Sequence, residues 1–175
     1  PYTPVEMDGN ARVNQAYAML LGQAADTEFL FMPFDGGSRV ITEILGDHVD
    51  SGVLKPSEVV SQVKAGELKV IGVFNQDGLS TMPDVPTFES LGYDVFSLGV
   101  IRQASYVMAP EGVETEIKEK LSSMFKEAIE SEEFESFAAE SGMLSEPRTG
   151  NELDAYVNEI YKALDNAGKE LFAIQ

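Results

Sequence analysis

Along the first half of the chain, apolar residues switch repeatedly between short continuous runs and a helical period, and that switching predicts βα units. Residues 29–33 form an apolar run of the kind a buried strand shows. The Gly36-Gly37-Ser38 turn then opens a helix with Val40, Ile41, Ile44 and Leu45 on one face, and Gly46 stops it. Residues 48–53 predict the next strand. A helix from Pro56 aligns Val59, Val60 and Val63 and closes at Gly66, after which residues 68–74 predict a third strand. Upstream, residues 2–7 are a candidate strand and residues 11–25 an Ala- and Leu-rich helix. The opening of the chain therefore reads β-α-β-α-β-α-β.

Beyond residue 74 the pattern changes. Residues 75–86 are rich in Gly, Pro, Asp and Asn and predict a loop, with a short helix from Thr87 capped by Gly92. Residues 93–101 and 104–108 predict extended chain. After Pro110 the sequence turns helical and acidic: Ile117, Leu121, Met124, Phe125 and Ile129 make one stripe, and Phe134 and Phe137 belong to a second short helix that Gly142 ends. Thr149 and Glu152 have capping-box spacing ahead of a last helix presenting Leu153, Tyr156, Val157, Ile160, Tyr161 and Leu164. The composition divides near residue 95, into a βα unit over residues 1–95 and a unit of hinge strands and helices over residues 96–175. The broad apolar stripes of the second unit need a sheet to cover, and two strands supply little of one, so that unit is expected to be incomplete.

Composition then removes whole classes of function. The chain has no Cys, which excludes disulfides, thiolate metal sites and Cys nucleophiles. Twelve basic residues against 30 acidic ones give a formal net charge of −18, the wrong sign for a nucleic-acid binder. No apolar run approaches the roughly 18 residues of a membrane span. The sequence begins at Pro1 without a basic-then-apolar leader, so any signal peptide or lipid anchor is expected to have been removed or left out. His48 is the only His; with Asp47 and Asp50 nearby it could suggest a triad, but neither Ser38 nor Ser57 sits in a nucleophile elbow, and His48 reads as a structural residue. Asp77, Asp84 and Glu89 lack calcium-loop spacing. The acidic run over residues 130–140 reads as a solvated helix face, and no phosphate loop or dinucleotide fingerprint is present. No catalytic residue, metal site or cofactor is expected.

Binding chemistry has a better candidate. In open parallel sheets, ligands sit beyond the carboxyl ends of the strands, where loops run into helix N-termini. Three loops qualify: one through Gly9, Asn10, Ala11 and Arg12, one through Gly36, Gly37, Ser38 and Arg39, and one through Lys55 and Ser57. Unpaired N–H groups and the positive end of the helix dipole favour a carboxylate there, and Gly allows close approach. Arg12, Arg39 and Lys55 all fall in or beside a first helical turn, where the dipole disfavours cations, and that repeated misplacement points to function. The alternative is that these long side chains swing into solvent.

Five ordered motifs then carry a resemblance. Phe31-Met32-Pro33-Phe34-Asp35-Gly36-Gly37, Leu45-Gly46-Asp47-His48-Val49-Asp50, Val63-Lys64-Ala65-Gly66-Glu67-Leu68-Lys69-Val70, Pro83-Asp84-Val85-Pro86-Thr87-Phe88 and Met108-Ala109-Pro110-Glu111-Gly112-Val113 occur in the order and spacing of the tripartite tricarboxylate transporter receptors, the Bug family, over nearly the whole chain. The resemblance implies an α/β, class II periplasmic-binding-protein-like fold: a parallel or mixed sheet with flanking helices, in two lobes that close on a carboxylate. It implies that residues 1–95 are lobe two, that residues 96–175 are the returning part of lobe one, and that the N-terminal half of lobe one is missing. It further implies an extracytoplasmic, non-enzymatic solute-binding protein whose partners are a small organic anion and membrane permease subunits. Residues 8–12 and 33–37 correspond to ligand loops in that family. The first departs from the family's pattern: Ala11 and Arg12 stand where Gly and Ser are usual, and Gln15 where His is common. The competing reading with the same fold is the ligand-sensing domain of a transcriptional regulator.

Overall fold

The computed structural model describes residues 11–172. They form six α-helices: α1 (Ala11–Ala24), α2 (Gly37–Leu45), α3 (Pro56–Lys64), α4 (Thr115–Ile129), α5 (Glu132–Glu140) and α6 (Gly150–Phe172). Helices predicted from residues 11, 37, 56 and 149 thus begin within a residue of expectation. The boundaries have local causes. Pro56 occupies the first position of α3, where its missing N–H costs nothing. Ser131 Oγ accepts from Phe134 N at 3.2 Å to start α5. Gly46 N closes α2 on Thr42 O at 3.0 Å.

Two expectations fail. The segment from Thr87 forms a single turn rather than a helix, with Leu91 N bonded to Thr87 O and Tyr93 N to Phe88 O. The parallel sheet does not form among the described residues either: the predicted strands at 29–33, 48–53 and 68–74 run without a ladder, and one parallel bridge, Val73 to Thr87, is the only pairing. The strand predicted at 2–7 lies outside the described residues. The physical difference is that a helix satisfies its backbone within one segment, whereas a strand needs a neighbour to satisfy it. The exposure of Leu30, Met32 and Ile71 agrees with strands that lack such a neighbour. Residues 46–50 form turns, so His48 sits in a bend and not at a strand start.

Two cores hold the chain together. One joins Ala16, Tyr17 and Leu20 of α1 to Ile101 and to Ala163 and Ala167 of α6. The other joins Ile41 of α2, Val59 of α3, Val73, Leu79 and Met82. Neighbouring residues of extended chain point to opposite sides, so Val73 packs into the second core while Phe74 packs against the first. Tyr17 stacks on Phe74 at 4.7 Å and meets Phe96 edge-on at 6.2 Å, and Phe74 continues the contact to Phe88 at 4.6 Å. The Tyr17 hydroxyl donates to Ile101 O, pinning α1 to the extended chain around residue 101.

Candidate functional site

The starts of α2 and α3 lie side by side, and α1 reaches the loop between them. Asn14, buried in α1, donates its side-chain amide to Val53 O at 3.1 Å and so holds the loop that leads into α3. Glu58 in the first turn of α3 lies against Gly37 at the start of α2: a Cβ on Gly37 would stand 2.9 Å from the Glu58 carboxyl carbon. Gly37 thus leaves room for the Glu58 carboxylate, beside the ligand approach its place in the sequence suggests. Glu58 in turn accepts from Lys55 N at 2.9 Å and from Lys55 Nζ at 3.3 Å. That closes the α3 start with the chain's own carboxylate.

The α2 start is different. Gly36 precedes it at φ +83°, a left-handed conformation suited to Gly, and nothing lies within 4 Å of where its Cβ would be. No side chain caps the helix and no acidic residue occupies its first turn. The N–H groups of Gly37 and Ser38 donate to no described group. An open turn with free donors at a helix N-terminus can take an oxyanion. The α3 start is further restricted by Gly142, which abuts it: a Cβ there would stand 3.1 Å from Ser57 N.

The predicted cations are placed unevenly. Arg39 is exposed and pairs with Glu43 at 2.5 Å, one turn along the same helix. The other Glu43 oxygen meets His48 Nδ1 at 2.8 Å, so this buried carboxylate ties the ends of α2 together. Lys55 is half-buried and held by Glu58, and Ser57 is exposed. Arg12 leans over the Phe172 ring of α6 at 5.3 Å. Gly9 and Asn10 lie outside the described residues, and Ala11 opens α1. Sequence reasoning missed Asn14, Glu43, Glu58 and Gly142. The spacing of Glu43 four residues after Arg39 and of Glu58 three after Lys55 was a readable signal; the contacts of Asn14 and Gly142 cross tens of residues and left none. Among the described residues no group of acidic or His side chains could hold a metal ion, and no helix is long and apolar enough to cross a membrane.

The family model of the tripartite tricarboxylate transporter family receptor matches residues 6–164. The chain belongs to this receptor family. These proteins are substrate-binding receptors, so the receptor chain is not an enzyme, as its sequence led us to expect. It is 26% identical over 168 residues to the UPF0065 protein in the TAR-I ttuE-ttuC' intergenic region of Agrobacterium vitis, covering 92% of this chain and 48% of that one. It is 29% identical over 110 residues to Protein BugT of Bordetella pertussis, covering 62% of this chain and 33% of that one. The receptor chain thus spans about half the length, or less, of these relatives. Among solved structures it resembles a periplasmic transporter with a TM-score of 0.73 at 18% identity, covering 97% of this chain and 54% of that one. R. palustris Rpa4515 with adipate gives 0.69 at 18% identity, with 96% and 57% covered. MatC (Rpa3494) from Rhodopseudomonas palustris with bound malate gives 0.67 at 20% identity, with 94% and 56% covered. The receptor chain therefore has a periplasmic-binding-protein fold.

Proposed function

We propose that the protein captures a small carboxylate for a tripartite tricarboxylate-type transporter, and that the α2 turn at Gly36, Gly37 and Ser38 holds one carboxylate group of the ligand. The observation that carries this reading is the uncapped α2 start, with free N–H groups at Gly37 and Ser38 and open space at Gly36. A net charge of −18 repels anions at long range, so recognition has to be local, through backbone donors and the helix dipole. Adipate and malate in the similar structures are the ligand class that such donors suit. Arg39, in the first turn of the same helix, adds positive charge that Glu43 partly offsets. Lys55 and Ser57 contribute less, because Glu58 already answers the α3 start.

Residues 1–95 act as lobe two and residues 96–175 as the returning part of lobe one, with the hinge at 96–101, where Ile101 is tied to Tyr17. A ligand closes such a hinge only by binding the closed form better than the open one. The closed form docks on the membrane permease. The test is titration calorimetry with malate and adipate on the native protein and on Ser38→Asp. An internal carboxylate in the first turn of α2 favours the helix and competes with the ligand, so a loss of about tenfold or more in affinity is expected. Unchanged affinity in this variant would remove the α2 turn from the site.

A further inference from the structure

A cavity of about 190 Å³ lies where Gln76, the chain at 100–102 and α6 come together, and no residue of the α2 turn lines it. Val100 and Ile160 contribute apolar lining, while Gln76, Arg102, Tyr156 and Glu159 bring polar groups. An apolar hollow with a few convergent polar groups is the make-up of a small-molecule pocket. Its charges are distributed unevenly. Arg148, also in the lining, is answered by Glu146 and by Glu152 at 3.6 Å, and its guanidinium lies 4.1 Å from the centre of the Tyr156 ring. Arg102 lies 6.0 Å from the same ring and pairs with no carboxylate among the described residues. All 12 basic residues are described, and the others that lack an acidic partner, such as Lys64, Lys118 and Lys162, are exposed, whereas Arg102 is half-buried. In a chain with 30 acidic residues, a half-buried guanidinium without a carboxylate is a group that calls for a partner. Glu159 is the matching case of opposite sign: it lines the same cavity and pairs with no described cation.

We propose that this cavity binds a neutral α-amino acid, with its carboxylate on the Arg102 guanidinium and its ammonium on Glu159. The fork of N–H donors on a guanidinium matches a carboxylate, and the Gln76 amide and Tyr156 hydroxyl, which bond to no described group, add donors to the same lining. Arg148 holds the Tyr156 ring and has its charge matched already, so Arg102 supplies the unmatched one. A volume of about 190 Å³ corresponds to roughly six waters at about 30 Å³ each, room for an amino acid with a short side chain. A plain anion fits less well, because it would meet Glu159 inside the cavity and the field of a −18 chain outside it. A zwitterion carries no net charge for that field to repel. The α2 turn takes no part, so this site stands apart from carboxylate capture there.

Titration calorimetry of the receptor with alanine and serine tests the site, with propionate and ethylamine as the two halves of alanine. Saturable binding of at least one of the amino acids, one per chain, is expected. Alanine should bind at least tenfold tighter than either of its halves and should not be displaced by malate. Arg102→Gln and Glu159→Gln should each weaken the binding tenfold or more. Glu159 is exposed, so its variant keeps the test decisive even where Arg102→Gln disturbs the packing around residue 101. No binding of either amino acid, propionate as tight as alanine, displacement of alanine by malate, or binding untouched by Glu159→Gln would each overturn the assignment.

Discussion

Replacing Tyr17 with Phe tests the tether between α1 and the hinge chain with one oxygen atom. The ring would keep its stack on Phe74 at 4.7 Å and its edge contact with Phe96, so the packing term is unchanged. What is lost is the hydrogen bond to Ile101 O, between residues that are 6% and 1% exposed. Leaving a buried carbonyl without its donor costs about 1–3 kcal/mol. The same hydroxyl carries a pH signature. Burial pushes its pKa from 10.0 up to about 12, against smaller opposing effects from Arg102 and from the bond to Ile101. The folded state therefore holds this proton more tightly than the unfolded chain. The associated stability is complete below pH 10 and is lost as pH rises towards 12, by a few kcal/mol at most. Urea unfolding followed by circular dichroism at pH 8 should show Tyr17→Phe less stable than the native chain. A series from pH 9.5 to 12 should show the gap closing, because only the native chain has this group to titrate. No gap at pH 8 would refute the tether, and a gap that stays constant through that window would refute the raised pKa.

Three further outcomes follow from named contacts. Gly142→Ala should lower stability by about 2–4 kcal/mol, since φ is +68° and the new Cβ would press on the Pro56 and Ser57 backbone; Gly66→Ala, at φ +74° with nothing within 4 Å, should cost about 1 kcal/mol, and equal melting shifts for the two would contradict the contact. Glu43→Gln should cost about 1–2 kcal/mol by weakening the joint hold on Arg39 and His48, and the loss should persist in 0.5 M salt because the carboxylate is buried; complete screening by salt would mark it as a surface pair. Glu58→Gln should lower stability by about 0.5–1 kcal/mol through the α3 start, yet tighten carboxylate binding severalfold by taking a negative charge away from the α2 turn, which calorimetry would read directly; weaker binding would count against the α2 assignment.

The helices were legible in the sequence because their causes are local. Pro56, Gly46, the apolar stripes and the acidic first turn of α5 lie within a few residues of the boundaries they set. The sheet was not legible to the same degree, since a run such as residues 68–74 declares a wish to pair but not its partner. At the site, Gly36 was legible as the residue of positive φ before α2, but the Glu58 carboxylate beside Gly37, 21 residues along the chain, was not. Arg12 shows the limit most clearly. Its place beside a helix start suggested the ligand, and the structure turns it towards Phe172, a contact 160 residues away that no local pattern announces.

The central claim is carboxylate capture at the α2 turn, and titration calorimetry of the receptor against malate and adipate tests it most directly. The account predicts saturable binding of at least one of them, weakened tenfold or more by Ser38→Asp and little changed by Ser38→Ala, because the donors are backbone N–H groups. No binding across a broad panel of carboxylates, with binding of a cation instead, would contradict it.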